Sequence, residues 1–505
     1  MPLAARMLLP LTAGALGALG FAPLDLWPLT LIGVAILIAL IECAPTIRSA
    51  AASGWWFGVG HFTVGLFWIA TAFTYQAAMP AFMGVVTVVL LSMFLALYPG
   101  LAAGLARAWP GGRISRVFVF AAAWMLTEWL RGHILSGFAW NPLGAAWLDA
   151  GGVAQLAMVI GALGLSGVMV LASGAIVLAG GDIRIRSAHK WTPHLIGLIA
   201  VTGLAEASRF ALPPPAPATG PLVHLIQPDI GQDAKYDNPA AHVEKYLALS
   251  RAALGPAPRR QSITIWSESA VEDLVEEEPA ARARLAQILE PGDLLLFGGV
   301  ALIRNADGSL AAATNSLYAL DADAHLVGRY DKSHLVPLGE YVPARPLMTR
   351  LGLARLTPGD IDFLPGPGPR TLDLPGFPAA GIQICYEVIF PAAVVDEAHR
   401  PAWIVNISND AWFGAWGPPQ HLAQARLRAI EEGLPIARVT PTGISAMIDA
   451  SGRVVASIGQ HRAATLSLRM PPPHPATLFA RYAHATSLVF GLTLLVAALA
   501  LRRRI

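Results

Sequence analysis

Glu268, Lys332 and Cys385 each fall within two positions of the end of a short apolar run that reads as a β-strand. A carboxylate, an ammonium and a thiol on three strand ends of one α/β domain are the parts for acyl transfer through a thioester. The thiol attacks a carbonyl, the carboxylate takes its proton and the ammonium stabilises the oxyanion. Taken singly, each has a plainer reading. Cys385 is as readily a buried structural cysteine, Glu268 a solvated strand end, and Lys332 an ordinary surface lysine.

The surrounding residues add detail. Cys385 follows the strand AAGIQI and precedes Tyr386-Glu387, with a helix expected from Pro391. A nucleophile at such a turn is exposed, and nearby backbone N–H groups can serve an oxyanion. Glu268 either points into water or is a partly buried base raised by desolvation. Glu340 stands eight residues past Lys332, after a Pro/Gly-fixed loop, and can fold back onto the ammonium; Asp331 and His334 read as solvated loop residues. Trp412, Phe413 and Trp416 are many aromatics for one loop, and either pack locally or dip into lipid. His421 invites a Cys–His dyad, although a histidine at a helix start is more often a cap or packing residue. No Cys/His cluster has metal-ligand spacing, and no Gly-rich loop follows a strand in the phosphate-binding pattern.

The elements that must position these groups are a soluble domain and a membrane part. Of 505 residues, 55% are hydrophobic and 13% charged, and the mean hydropathy is +0.54. An ordinary soluble domain carries about 25% charged residues, so much of this chain faces lipid. A net charge of +2 gives no argument for nucleic acid, and two cysteines, Cys43 and Cys385, exclude a disulfide framework. Apolar runs lie near 7–22, 26–43, 52–73, 80–104, 117–130, 153–180, 193–211 and 483–501. A span needs roughly 20 apolar residues, so the short fifth run and the seventh, with Glu206, are the weaker ones. A signal peptide is set aside, because Pro23 and Pro28 lead at once into another run. With the N-terminus inside, the inner segments hold eleven basic residues and the short outer loops hold Arg131 alone. The positive-inside rule then puts both termini in the cytoplasm and the soluble domain across the membrane.

The expected organisation is a seven-helix membrane domain over 1–212, a soluble domain over 221–470, and a last helix with a cytoplasmic tail over 480–505. Proline runs at 213–217 and 471–475 bracket the soluble domain as stiff spacers. Within it, strands are expected at 222–227, 263–266, 294–298, 325–330, 379–384, 402–407 and 436–440, and helices at 239–254, 279–290 and 419–432. Their alternation argues an α/β sandwich, with 364–378 as a long surface loop.

These motifs resemble the membrane-bound acyltransferase family whose members N-acylate apolipoproteins, within the nitrilase superfamily. GIQICYEVIFP, NDAWFG and GPPQHLAQARLRAIEEG carry the resemblance, with Glu128-Trp129-Leu130-Arg131-Gly132 and Gly137-Phe138-Ala139-Trp140 in the membrane part. It implies an eight-span α-helical bundle joined to a nitrilase-like α-β-β-α sandwich in the bacterial inner membrane, the catalytic domain facing the periplasm. It implies a triad of Glu268, Lys332 and Cys385, with Glu340 and Glu387 as accessory glutamates. Tyr236, Trp140, Trp412, Phe413 and Trp416 become substrate-contacting residues. No metal or cofactor is expected. The donor is a phospholipid, in particular phosphatidylethanolamine; the acceptor is the α-amine of a diacylglyceryl apolipoprotein, and the enzyme a monomer. Loops 131–152 and 341–365 are candidate gates. The chain departs from the family at Ser267, where Pro is usual, at Tyr236, where Trp is usual, and at Pro441, where Asn is usual; none removes a catalytic group. A membrane-tethered amidase or nitrilase with the same triad is the alternative, and eight spans exceed what an anchor needs. A transporter would bury ionisable residues in its spans, for which His61 and Glu206 are the candidates, and would leave Cys385 unexplained.

Overall fold

The computed structural model describes residues 3–75, 80–180, 192–211, 214–235, 237–343, 346, 350 and 362–502. Tyr236 and most of the expected gate at 341–365 lie outside the described residues. The chain separates into two compact units: Met1–Ala70, Ala81–Pro214 and Ala476–Ile505 in one, Thr71–Pro80 and Pro215–Pro475 in the other.

The first unit is helical, and each apolar run supplies a helix. Among the described residues, three helices can cross a membrane by length and composition, Phe82–Ala108, Val153–Ala179 and His484–Arg502. A fourth joins them if Ile47–Gly65 and Phe67–Thr74, bent by 47°, count as one span. The short fifth run proves to be part of a 21-residue helix, Arg113–His133. Its polar end is not a terminus in water: Glu128 and Arg131 are both buried. Trp124 Nε1 and the Leu143 N–H donate to Glu128 Oε1 at 3.0 and 2.7 Å, while Arg131 donates to the Phe138 and Trp140 carbonyls. Those bonds fix the loop after the helix, and apolar spacing alone hides them. Glu206 is instead an exposed ion pair with Arg209.

Small residues let these helices touch backbone to backbone, as expected where lipid supplies no hydrophobic drive between helices. A Cβ at Gly60 would stand 2.0 Å from the Leu11 carbonyl oxygen, and one at Gly14 would stand 1.9 Å from that of Phe57.

The second unit holds two six-stranded sheets. Its strands are β1 (Leu222–Gln227), β2 (Ser262–Ile265), β3 (Leu294–Arg304), β4 (Leu310–Leu320), β5 (Leu326–Asp331), β6 (Thr371–Leu372), β7 (Ala380–Ile384), β8 (Trp403–Ile407), β9 (Ile436–Val439), β10 (Ser445–Ile448), β11 (Val454–Ile458) and β12 (Ala464–Arg469). The orders are β12-β1-β2-β3-β4-β5 and β11-β10-β9-β8-β7-β6. Period-two alternation sorts the side chains: Ile263, Ile265, Leu294 and Leu296 join Ile382, Ile384, Val405 and Ile407 in the core shared by the sheets. Leu295, Phe297 and Trp266 turn outward onto Val243, Tyr246 and Leu247 of the helix Pro239–Leu254. A second helix, Pro279–Ala286, is shorter than expected, and a third, Gly417–Glu432, packs with the other sheet's elements. Strands β4 and β10–β12 escape the apolar pattern, and 364–378 is not wholly loop, since β6 lies inside it. No helix follows Cys385 from Pro391; the chain makes a 3₁₀ turn, Cys385–Ile389, and then irregular turns.

Helix contact through Gly60 yields a stability prediction. Gly60→Leu should lower stability by on the order of 1–3 kcal/mol through overpacking, seen as a lower Tm in detergent by tryptophan fluorescence. Gly203→Leu, where nothing lies within 4 Å, should leave Tm unchanged.

Candidate active site

Glu268 and Lys332 leave the ends of β2 and β5 in one sheet, and Cys385 leaves β7 in the other. Glu268 sits where the β2 chain still follows β3, the Gly298 N–H donating to the Ser267 carbonyl at 3.2 Å. Only glycine fits there, because a Cβ on residue 298 would stand 2.5 Å from the Ser269 nitrogen and 2.7 Å from the Glu268 Cα. Lys332 is fixed by its own N–H, which donates to the Asn315 carbonyl of β4 at 2.8 Å.

All three side chains are buried. Lys332 Nζ lies 3.3 Å from Glu268 Oε1 and 3.0 Å from the Glu340 carboxylate. Asn315 Nδ2 donates to the same two carboxylates, at 2.7 and 2.8 Å. The Asn409 N–H donates to Glu268 Oε2 at 2.6 Å, and the Val336 N–H to Glu340 Oε2 at 2.8 Å. Glu340 therefore does fold back onto the ammonium.

Burial works against the charge on Lys332, yet Glu268 and then Glu340 outweigh it and hold its pKa above the ordinary lysine value. Burial likewise pushes Glu268 upward, but Lys332, the Asn315 amide and Lys235 overcome it, so the carboxyl titrates below its usual value and stays ionised. The Cys385 thiol is pushed up, first by burial and then by the Glu268 charge, and Lys332 pulls the other way. The resting pair is thus a protonated thiol and an ionised carboxylate.

Cys385 has φ +53°, the left-handed region that a non-glycine residue adopts at some strain. Glu387 holds the turn by binding both strand ends. Its Oε2 accepts from the Ile384 N–H at 2.6 Å, and its Oε1 accepts from the Tyr330 hydroxyl and the Ser333 N–H and hydroxyl at 2.6–2.7 Å. Burial raises the Glu387 pKa, and these donors pull it back.

His421 does not form a dyad with the sulfur. Its Nε2 lies 3.1 Å from the Cys385 carbonyl oxygen, and Asp410 and Arg438 both reach its Nδ1 at 3.0 Å. Burial and Arg438 lower the ring's pKa, and the ring's contact with that carbonyl supports the backbone of Cys385.

Other expected residues fall elsewhere. Trp412, Phe413 and Trp416 are half-buried; Tyr75, carried by the segment Thr71–Pro80, meets Trp412 edge-on at 5.8 Å, and Phe413 meets His421. Trp140 is buried in the helical unit, tilted on Trp68 at 4.7 Å. Asp331 is not a solvated loop residue: its Oδ1 accepts from Ser316 at 2.6 Å and from Arg329 at 2.7 Å. His334 is half-buried and stacks on Phe390. Among the described residues Asp321, Asp323 and His325 form an acidic cluster at the β4–β5 turn. Asp321 there accepts the N–H groups of the other two, at 3.0 and 2.8 Å, as a turn does. Asn315 was missed, although Thr314-Asn315-Ser316 is a polar run inside an apolar strand, which is a signal for it.

The Asn315 bridge gives a pH prediction. A donor to Glu268 favours its ionised form, so Asn315→Leu should raise its pKa. The acidic limb of Cys385 alkylation by iodoacetamide should then move to higher pH, as read from second-order rates across a pH series.

Residues 13–175 match the apolipoprotein N-acyltransferase N-terminal domain, and residues 258–471 match the carbon-nitrogen hydrolase family. The apolipoprotein N-acyltransferase of Bradyrhizobium diazoefficiens is 40% identical, the match covering 99% of this chain and 95% of that one. Those of Rhodopseudomonas palustris and Caulobacter vibrioides are each 37% identical, over 94% and 92% of this chain and 91% and 88% of theirs. On this identity, held through both the helical unit and the paired sheets, the chain belongs to the apolipoprotein N-acyltransferase family.

Proposed function

We propose that Cys385, Glu268 and Lys332 carry acyl transfer from a phospholipid to the N-terminal amine of a lipoprotein. The observation that carries this reading is a buried thiol facing an ionised carboxylate whose partner is a fixed ammonium, in a chain of this family.

In the first half, Glu268 takes the thiol proton as Cys385 Sγ attacks an acyl ester of the phospholipid. Lys332 stabilises the tetrahedral oxyanion. The ester C–O bond breaks, Glu268 returns the proton to the departing lysophospholipid, and a thioester remains. In the second half, the free α-amine of the diacylglyceryl-cysteine attacks that thioester. The C–N bond forms, the C–S bond breaks, and the thiol is restored. This is ping-pong chemistry. Glu340 and Asn315 hold Lys332 and Glu268 in register, and Glu387 holds the cysteine turn. Tyr236, Trp140, Trp412, Phe413 and Trp416 serve as contacts for the lipid chains.

Both substrates are anchored in lipid, which requires the site to work at the bilayer surface and gives a reason for the apolar helices. Eleven basic residues on one side against one on the other support eight spans, cytoplasmic termini and a periplasmic catalytic domain of the inner membrane. We assign phosphatidylethanolamine as donor and a monomer as the working form. Hydrolysis by the same triad is disfavoured, since the relatives over nearly the whole chain are acyltransferases.

Intact-mass spectrometry tests the assignment. Protein incubated with phosphatidylethanolamine should gain the mass of one acyl chain, lose it to hydroxylamine, and gain nothing as Cys385→Ala. An unmodified wild type would overturn the donor assignment.

A further inference from the structure

The two halves of this reaction differ in their protons. Thioester formation is neutral overall: the proton taken from Cys385 goes to the lysophospholipid. Transfer to the lipoprotein is not. An α-amine has a pKa of about 7.7–8.0, so below that it arrives as an ammonium. It must lose one proton to become a nucleophile and a second as the amide forms. The second returns to the Cys385 sulfur, and the first must leave the enzyme. Its acceptor, Glu268, is buried.

A narrow cleft of about 30 Å³ runs alongside Glu268, and neither Cys385 nor Lys332 lines it. Its walls include Lys235, His242, Tyr246, Glu272 and Asn409. Its walls differ in exposure: Glu268 is buried, Lys235 and His242 are half-buried and Glu272 is exposed. Two carboxylates lining the same cleft, Glu268 and Glu272, attract the Lys235 ammonium electrostatically. Glu272 is faced in turn by His242 and Asp273, and Glu268 by Lys332.

We propose that this cleft is the exit for the proton that the incoming amine gives to Glu268, with Lys235 as the relay and Glu272 and His242 at its outer end. The inference rests on the acyl-transfer reading above. Lys235 passes one proton outward to the cleft mouth and takes one from Glu268, which is then ionised for the second proton of the same turnover. Burial lowers the Lys235 pKa, although Glu268 and Glu272 oppose it, and that eases release. Lys235 acts through Glu268 and is a relay and positioning residue, not a catalytic one.

The test separates the halves in single turnovers, using phosphatidylethanolamine micelles and then a diacylglyceryl-cysteine peptide. Lys235→Met should slow thioester formation only as far as the lost charge raises the Glu268 pKa, and far less than it slows transfer. Transfer to the peptide should be slower by roughly tenfold or more at about pH 6.5, and the gap should close at about pH 9.5, where the amine arrives neutral. Imidazole buffer should restore the rate at low pH. Lys235→Arg keeps the charge but cannot release a proton, so it should remain slow. Equal slowing of both halves, a defect independent of pH, or full recovery in Lys235→Arg would each overturn the relay. Failure of wild type to form the thioester would instead overturn the parent reading.

Discussion

A lysine ammonium buried between two carboxylates is the constraint on which the rest of the site depends. Removing such charges from water is expensive unless geometry and further hydrogen bonds compensate. Here both oxygens of each carboxylate have a donor. Glu268 has Asn315, Lys332 and the Asn409 N–H, and Glu340 has Asn315, Lys332 and the Val336 N–H. Removing one partner strands the others, so Asn315, uncharged and distant in sequence, is as integral as the charges. The arrangement also explains why the site straddles two sheets. The cluster grows from β2, β4 and β5, while Cys385 comes from β7, where the ammonium's field lowers the cost of a thiolate without neutralising Glu268.

The nucleophile faces a second constraint, in its backbone. A left-handed cysteine persists only if its surroundings over-determine it. Glu387 grips the residue before it, and His421 grips its carbonyl oxygen. Behind His421, Asp410 accepts from Ser408 at 2.7 Å and from Arg438 at 2.6 Å, all four side chains being fully buried. Burial alone would raise Asp410, but Arg438 and His421 hold its carboxyl well below the usual range. The fixed charge pair sits under the turn rather than in the reaction path, which is how a histidine so near a cysteine is not its base.

How legible this was follows from what each residue's neighbours in sequence reveal. Strand ends before Glu268, Lys332 and Cys385 were readable because β2, β5 and β7 are short apolar runs, and apolar runs report burial. Asn315 and β4 were not, because that strand carries small and polar residues whose partners lie on other strands. The helix expected from Pro391 failed because an apolar stretch next to a turn does not distinguish helix from irregular chain. The short fifth apolar run hid a 21-residue helix because Glu128 and Arg131 are satisfied by a loop, which hydropathy cannot see. His421 was readable as near the cysteine and misread in role, since spacing says nothing about which atom a ring addresses.

The protonation state of the resting site sets how the first bond can form. A cysteine paired with an imidazolium carries a standing thiolate; here burial and the Glu268 charge keep the thiol protonated, and Glu268 stays ionised beside Lys332. Attack must therefore coincide with proton transfer, because a free thiolate beside an ionised carboxylate would place two negative charges in one dry site. In the proposed transfer that cost is removed only when a carbonyl is present to receive the electron pair, and the negative charge then moves to an oxygen that Lys332 would hold. A thiol in this state reacts slowly with oxidants and alkylating agents, which act on thiolates. For an enzyme that waits between two lipid-borne substrates, that reserve protects the nucleophile, and the substrate itself supplies the reason for the proton to move.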